Sequence, residues 1–338
     1  MKENLSTVDP MAKQYDIDDL YKGIISGDRA RLSRAITLVE SKKKEHQILA
    51  SALLKRCMPH TGKSRRVGIS GSPGVGKSTF IEHLGKMIVE NDQQLAILAI
   101  DPSSQVTKGS ILGDKTRMQE LSRHANVFIR PSPAGETLGG IARRTRESML
   151  LCEAAGFDYT IIETVGVGQS EITVRHLVDF FILLLLPGAG DDLQGIKKGI
   201  VEIADLILIN KADGDQIDVA HKTVGFYSSA VHLLRAREDQ WTVPVKKCSG
   251  LTGDGLDKVI ATLDHYFMDF STAIGKRRQH QSQYWFESGL SDALKDHFFS
   301  IDGVAQKYKR LLNEVAQGRT NAFDAVDELM QSLLDKNS

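Results

Sequence analysis

Short apolar runs alternate with helical patterns through the middle of this chain. The runs are apolar on both faces: Arg66–Ser70, Leu95–Ile100, Val127–Arg130, Tyr159–Ile162, Phe180–Leu186, Leu206–Ile209 and Val243–Lys247. A strand that is apolar on both faces needs helices above and below it, which is typical of a parallel sheet. The pattern therefore predicts an α/β fold with a largely parallel sheet covered by helices.

Helical patterns without such runs occupy both ends of the chain. Asp28 precedes Leu32, Ile36 and Val39, which predicts a capped amphipathic helix. Further stripes suggest helices at Ile48, Leu49, Ala52 and Leu53, at Val304, Tyr308, Leu311, Leu312 and Val315, and at Phe323, Val326, Leu329, Met330 and Leu333. We predict an N-terminal helical extension over residues 1–62, a central α/β domain over 63–272 and a C-terminal helical arm over 273–338.

The apolar stripes of the C-terminal arm need a surface to cover them. Either the α/β core of the same chain or a second subunit could supply that surface. We favour a homodimer in which the arm is the dimerisation element.

The composition indicates an ordinary soluble globular protein. Of 338 residues, 41% are hydrophobic and 25% are charged, and the formal net charge is +0. This balance gives no general attraction to nucleic acid or to an anionic membrane, so we expect neither as a partner. The most apolar run, Phe180–Leu186, is far shorter than the roughly 20 residues of a membrane helix. The polar N-terminal stretch lacks the apolar segment of a secretory signal, which predicts the cytoplasm.

The cysteines point to the same compartment. Cys57, Cys152 and Cys248 lie far apart and without C-x-x-C spacing. We therefore expect reduced thiols, and neither a disulfide framework nor a thiolate metal site.

A phosphate-binding motif follows the first predicted strand. Eight residues match the pattern G-x-x-x-x-G-K-S/T, with Thr79 directly after them: Gly71, Ser72, Pro73, Gly74, Val75, Gly76, Lys77 and Ser78. Backbone N–H groups of such a loop surround phosphate oxygens, Lys77 would reach the β- and γ-phosphates, and the Ser78 hydroxyl would bind Mg²⁺. The motif predicts a P-loop NTPase, in which Lys77 is a catalytic candidate.

Magnesium needs more oxygen ligands than one hydroxyl and a phosphate. Asp101 directly follows the second predicted strand, Glu163 ends the fourth, and Asp114 lies in the segment between them. Carboxyl ends of parallel strands meet at one crevice, so we predict these carboxylates near Ser78. The alternative for each is a solvated or helix-capping carboxylate, and direct ligation cannot be told from ligation through water.

The segment from Glu163 to Gly166 resembles the D-x-x-G motif of GTPases, with Glu in place of Asp. By this resemblance Gly166 would offer its backbone N–H to the γ-phosphate, and Glu163 would be catalytic. The segment would then shift when that phosphate leaves.

A second motif predicts guanine as the base. Asn210, Lys211 and Asp213 follow the strand Leu206–Ile209 and match N-K-x-D. An Asp carboxylate can accept hydrogen bonds from N1–H and from the exocyclic amine of guanine, whereas adenine offers no such pair. After a later strand, a loop that would close the base pocket consists of Cys248, Ser249 and Gly250; a simple turn is the alternative.

On these motifs the chain resembles the MeaB/ArgK/MMAA family of G3E-type P-loop GTPases. The blocks that carry the resemblance are Gly71–Thr79, Asp101–Ser104, Gly109–Met118, Glu163–Glu171, Gly190–Gly199 and Asn210–Asp213. The resemblance implies a homodimeric, Mg²⁺-dependent GTPase that binds GTP and GDP. It also implies a chaperone for adenosylcobalamin-dependent methylmalonyl-CoA mutase or a related acyl-CoA mutase, which gates cofactor loading and the removal of damaged cofactor.

The family also implies a third switch segment, in which Asp191, Gln194 and Lys197 rearrange when the mutase binds. Val167 stands where many small GTPases have a glutamine that orients water, so we expect slow basal hydrolysis. A lysine of this chain that moves into the site when the partner binds could stabilise charge on the transferring phosphoryl group. We assign this catalytic role to Lys197 as a hypothesis. The alternative for Lys197 is a solvated helix face.

Three other functions remain open from the sequence. A nickel or cobalt metallochaperone would carry Cys or His clusters, whereas the ten histidines here are scattered. A kinase or energising ATPase of an amino-acid transport system would not need the guanine motif. A nucleotide-dependent binding module without catalysis is disfavoured by the intact P-loop.

Overall fold

The computed structural model describes residues 15–100, 118, 120–131, 138–164, 170–189, 198–233 and 239–334. Within these ranges seven strands form one sheet. They are β1 (Arg65–Gly71), β2 (Leu95–Ile100), β3 (Val127–Arg130), β4 (Tyr159–Thr164), β5 (Phe180–Leu185), β6 (Leu206–Ile209) and β7 (Val245–Lys247). Their order is β3-β2-β4-β1-β5-β6-β7, and each neighbouring pair is parallel.

The strands coincide with the seven apolar runs, so the predicted α/β fold is confirmed. Every residue of β2, β4 and β5 is buried, as expected for strands covered on both faces. Among the described strands, β7 lies at the edge beside β6, and its residues are half-buried. Because the strands are parallel, their carboxyl ends all open at the same edge of the sheet.

Helices connect the strands and extend the chain at both ends. In chain order they are α1 (Ile17–Ile25), α2 (Arg29–Val39), α3 (Lys44–Cys57), α4 (Lys77–Glu90), α5 (Leu138–Ala154), α6 (Ser170–Arg175), α7 (Lys198–Ile203), α8 (Ile217–His232), α9 (Leu256–Asp269), α10 (Ser271–Ser300), α11 (Val304–Ala316) and α12 (Ala322–Leu334). Helix α4 buries Phe80, Ile81 and Leu84 in the same apolar core as Val67 and Ile69 of β1. This packing fixes the start of α4 at the carboxyl end of β1.

The N-terminal helices form as the sequence predicts. The Asp28 carboxylate caps α2 by accepting hydrogen bonds from the N–H groups of Ala30 and Arg31, at 2.9 and 3.0 Å. Helix α3 also forms, but Ile48 of its predicted stripe is 71% exposed, whereas Leu53 is fully buried. Its inward face is therefore rotated relative to the predicted stripe.

Two buried aspartates organise the amino edge of the sheet. Asp179 precedes β5, and its carboxylate accepts hydrogen bonds from Arg278 Nε at 2.8 Å and from Arg278 Nη2 at 2.6 Å. Asp205 precedes β6, accepts the Phe181 N–H at 2.8 Å, and forms ion pairs with Arg175 and Arg277. Both aspartates are fully buried, so these pairs compensate for charges that would otherwise be costly to bury.

The chain divides into two compact units, Met1–Arg278 and Gln279–Ser338, so the division lies within α10. The domain boundaries after residues 62 and 272 stay predictions. In the second unit, Val304, Leu311 and Ala325 are buried, and Lys307 Nζ donates a hydrogen bond to the carbonyl of Glu328 at 2.7 Å. Among the described residues, no helix is both long and apolar enough to cross a bilayer.

Candidate functional site

The predicted phosphate loop joins β1 to α4 at the carboxyl edge of the sheet. Gly76 caps α4 with a φ of 93°, a left-handed conformation that favours glycine. A Cβ atom at this position would also approach the Asn210 side-chain nitrogen to 2.9 Å. The N–H groups of the first turn of α4 have no partners within the helix, so this end of α4 suits an anion.

Lys77 folds back over this loop. Its Nζ donates hydrogen bonds to the carbonyl oxygens of Gly71 and Ser72, at 2.7 and 3.2 Å, and the side chain is largely buried. The ammonium group is therefore held beside the loop that the motif assigns to phosphate.

Ser78 and Glu163 meet, although 85 residues separate them in the chain. The Ser78 hydroxyl donates a hydrogen bond to Glu163 Oε1 at 3.3 Å, and Glu163 is only 5% exposed. They meet because β4 lies beside β1, with Glu163 opposite Ile69. The pair is an all-oxygen donor set, which fits the preference of Mg²⁺ for hard oxygen ligands.

Asn210 connects the two predicted motifs. Its Nδ2 donates a hydrogen bond to the carbonyl of Val75 at 2.8 Å, and its Oδ1 accepts the Gly250 N–H at 2.8 Å. Asn210 is 1% exposed, so both bonds are made away from water. The side chain thereby joins the phosphate loop to the loop predicted to close the base pocket.

The base loop also orients the predicted specificity residue. The buried Ser249 hydroxyl donates to the carboxylate of Asp213, and Asp213 itself is half-buried. The same hydroxyl accepts the N–H groups of Leu251 and Thr252, at 3.3 and 3.1 Å. Lys211 adopts a left-handed φ of 58° between Asn210 and Asp213. The Asp213 carboxylate is therefore fixed by Ser249 and remains partly exposed, so a ligand can reach it.

Cys248 contributes packing rather than reactivity to this loop. Its Sγ lies 3.6 Å from Asn210 Oδ1, and the residue is 2% exposed. Burial raises the pKa of the thiol to about 12, so the thiol stays protonated near neutral pH.

Several predicted site residues lie outside the described residues: Asp101, Asp114, Gly166, Val167, Asp191, Gln194 and Lys197. The described site residues all lie at the carboxyl edge of the sheet. Lys77, Ser78 and Glu163 are at the phosphate loop, and Asn210 and Asp213 are in the predicted guanine motif. Sequence reasoning missed a buried hydroxyl pair adjacent in the chain to these residues, Ser70 and Thr164, whose oxygens lie 2.8 Å apart. The sequence signal that could have indicated this pair is a hydroxyl residue at the end of the run Arg66–Ser70 and another just after the run Tyr159–Ile162.

Comparison with known proteins identifies the family. The family described as "Methylmalonyl Co-A mutase-associated GTPase MeaB" matches residues 32–302. GTPase ArgK of Escherichia coli is 44% identical over 89% of this chain and 92% of its own. The mouse protein named "Methylmalonic aciduria type A homolog, mitochondrial" is 42% identical over 96% of this chain and 81% of its own.

A solved structure extends the similarity to the fold. The crystal structure of an "LAO/AO transport system kinase" has a TM-score of 0.74 and 36% sequence identity, and the match covers 97% of this chain and 100% of that one. Together with the parallel sheet and the P-loop, these matches confirm the P-loop NTPase fold and guanine nucleotide as the ligand class. This chain is therefore a GTPase that belongs to the MeaB family, the family of methylmalonyl-CoA mutase-associated GTPases.

Proposed function

We propose that this GTPase is Mg²⁺-dependent and acts as a chaperone for an adenosylcobalamin-dependent acyl-CoA mutase, with methylmalonyl-CoA mutase as the first choice. In this role it gates the loading of cofactor and the removal of damaged cofactor. The observation that carries the GTPase part is the Asn210 side chain, which joins the phosphate loop and the base loop into one nucleotide site.

Ser78 and Glu163 are the residues that would hold the magnesium ion. A bound Mg²⁺ would neutralise charge that develops on the phosphate oxygens. Lys77 would move its ammonium group from the Gly71 and Ser72 carbonyls to the β- and γ-phosphates. Asp101 and Asp114 remain proposed further ligands.

Asp213 would select guanine. Its carboxylate would accept both donors of the guanine edge, and Ser249 would hold the carboxylate in place. ATP would leave this charge without donors, so we expect ATP to bind far more weakly.

The link to a mutase rests on the family description and on the expected lack of a water-orienting side chain at Val167. We propose that mutase binding brings Lys197 to the transferring phosphoryl group, with Asp191 and Gln194 rearranging at the same time. Lys197→Ala should then abolish the stimulation of GTP hydrolysis by the mutase and leave basal hydrolysis intact. Lys198→Ala is the matched control, and equal loss of stimulation in both variants would contradict the assignment.

We propose a homodimer built on the second compact unit. Within this unit several large apolar side chains are at least 40% exposed in the single chain: Phe286, Leu290, Leu294, Phe299, Tyr308, Leu312, Phe323, Val326 and Met330. A second copy of the chain is the partner that would cover them. We also propose the cytoplasm as the compartment, which agrees with the three buried free thiols.

The second candidate function is an energising kinase of an amino-acid transport system, because the solved structure at 36% identity carries the name of such a kinase. A kinase would transfer the γ-phosphate to a protein acceptor, whereas the chaperone would transfer it to water. Incubation with γ-labelled GTP, mutase and membrane extract separates the two. Label released as phosphate supports the chaperone, and label retained on a transport component supports the kinase.

Cofactor transfer tests the chaperone role directly. Mutase without cofactor would be mixed with adenosylcobalamin and this protein, in the presence of GTP, GDP or a non-hydrolysable GTP analogue, and mutase activity followed. We expect the analogue and GTP to give different loading. Loading that is identical in all nucleotides and without the protein would contradict the proposal.

A further inference from the structure

Two buried hydroxyl groups connect the strand ends that carry the phosphate loop and Glu163. Thr164 Oγ1 donates to Ser70 Oγ at 2.8 Å and lies 3.5 Å from the carbonyl of Ile69. Both Ser70 and Thr164 are fully buried. Ser70 is paired in the sheet with an apolar residue, Leu183 of β5. An isolated hydroxyl in such a place would be unfavourable, so each group depends on the other.

The pair lies at the point where the backbone connection between β1 and β4 ends. The register of these strands runs from Arg65 with Tyr159 to Ile69 with Glu163. On its other side, Thr164 is still paired with Ile100 of β2. Beyond Glu163 the hydroxyl pair therefore replaces the backbone ladder as the connection of β4 to β1.

The residues next to the pair belong to the nucleotide site. Ser70 precedes Gly71, whose carbonyl accepts the Lys77 ammonium. Thr164 follows Glu163, whose carboxylate accepts the Ser78 hydroxyl. Because side chains alternate along a strand, the hydroxyl pair occupies the face of the sheet opposite Glu163. Its position can therefore set the distance between the two strand ends without contact with the nucleotide.

We infer that Ser70 and Thr164 are positioning residues for GTP hydrolysis. Their hydrogen bond holds the end of β4 against the phosphate-loop strand, so that Glu163 stays within reach of Ser78. This inference rests on the proposed role of Ser78 and Glu163 in binding Mg²⁺. Loss of the bond lets the carboxylate move away, which weakens the magnesium site and lowers the hydrolysis rate.

A matched control lies at the opposite end of this strand pair, at Ser64, which directly precedes β1, and Thr160 of β4. Ser64 Oγ and Thr160 Oγ1 lie 3.1 Å apart, and both residues are buried. Thr160→Val and Thr164→Val each remove one buried hydroxyl and preserve the side-chain shape. Only the second change lies beside the nucleotide site, so a general effect on the sheet would appear in both variants.

The experiment compares wild type, Thr164→Val, Thr164→Ser, Ser70→Ala, the double variant Ser70→Ala with Thr164→Val, and Thr160→Val. For each, kcat for GTP, the Mg²⁺ concentration at half-maximal rate, GDP affinity without Mg²⁺, and Tm are measured. We expect Thr164→Val to lower kcat by about tenfold or more and to raise the required Mg²⁺ concentration. We expect Thr164→Ser and Thr160→Val to keep kcat within about twofold of wild type.

The double variant should lose no more activity than Thr164→Val alone, because both changes remove the same bond. Equal kcat losses in Thr160→Val and Thr164→Val would overturn the inference, as would a lower Tm in Thr164→Val with kcat and Mg²⁺ dependence unchanged. A wild-type protein that hydrolyses GTP without Mg²⁺ would instead refute the proposed magnesium site. If the wild type needs Mg²⁺ and Thr164→Val matches it, only the positioning role fails.

Discussion

The side-chain amide of Asn210 donates a hydrogen bond to the carbonyl of Val75 at 2.8 Å. This bond joins the loop after β6 to the loop after β1, and the carbonyl oxygen of the same amide side chain accepts the Gly250 N–H. One buried side chain therefore holds the phosphate loop and the base loop at a fixed separation. The two loops are therefore preorganised for a nucleotide that binds both of them, which lowers the entropic cost of binding.

Asn210→Ala should weaken nucleotide binding through this connection. The change leaves the Val75 carbonyl and the Gly250 N–H without their partner, and each lost bond contributes roughly 1 kcal/mol. We expect the Kd for GDP to rise by about tenfold to a hundredfold, measured by calorimetric titration. Asn91→Ala, which removes an exposed amide that donates to the Met87 carbonyl at 2.9 Å, is the control and should leave Kd unchanged.

Asp213→Asn should change the base preference. An amide presents a donor where the carboxylate presented an acceptor, so it conflicts with the exocyclic amine of guanine and suits the carbonyl of xanthine. We expect the Kd for GTP to rise by about a hundredfold and xanthosine triphosphate to become the better ligand. Competition binding with the two nucleotides measures this. Unchanged preference for GTP would show that Asp213 does not contact the base, and Asp215→Asn is the nearby control.

The buried thiols should make stability fall in alkaline solution. Burial raises the pKa of Cys248 to about 12 and that of Cys57 to about 11, above the unfolded value of roughly 8.5. The folded state therefore retains protons that the unfolded state loses, so the unfolding free energy decreases as pH rises above about 8.5. Urea unfolding from pH 7 to 10 checks this expectation. In Cys248→Ala the decrease should be smaller by up to about 1.4 kcal/mol per pH unit.

Arg278→Ala should destabilise the first compact unit strongly. The change leaves the Asp179 carboxylate buried without its bidentate partner, and breaking a buried ion pair in this way typically costs about 3–5 kcal/mol. Lys86→Ala is the control, because its partner Glu120 is 75% exposed and such pairs contribute about 0–1 kcal/mol. Urea unfolding followed by tryptophan fluorescence measures both. Equal decreases in unfolding free energy would show that the buried pair contributes no more to stability than the exposed one.

The fold could be predicted because burial on both faces leaves a continuous apolar run for each strand. Even the short strand β6 was found in this way. The face of α3 was less predictable: Ile48 is apolar and yet largely exposed, while Leu53 is buried. A stripe of apolar residues indicates a helix, but the neighbours that the helix meets decide which side is covered.

The site could be predicted where its residues are adjacent in the chain. Gly71–Ser78 and Asn210–Asp213 are such segments, and their chemistry follows from the residue types. The bonds from Ser78 to Glu163 and from Thr164 to Ser70 span 85 and 94 residues. They exist because β4 lies beside β1, and strand order cannot be deduced from one sequence. The hydroxyl pair was therefore beyond sequence reasoning, whereas the motifs were not.

Nucleotide hydrolysis with Mg²⁺ shows whether this protein is a guanine-specific GTPase that responds to a mutase. Phosphate release from GTP and from ATP would be measured for the purified protein alone and with an adenosylcobalamin-dependent acyl-CoA mutase from the same source. We expect slow phosphate release from GTP alone, faster release with the mutase, and little release from ATP. Equal use of ATP would contradict the role of Asp213, and GTP hydrolysis that does not respond to the mutase would contradict the proposed partner.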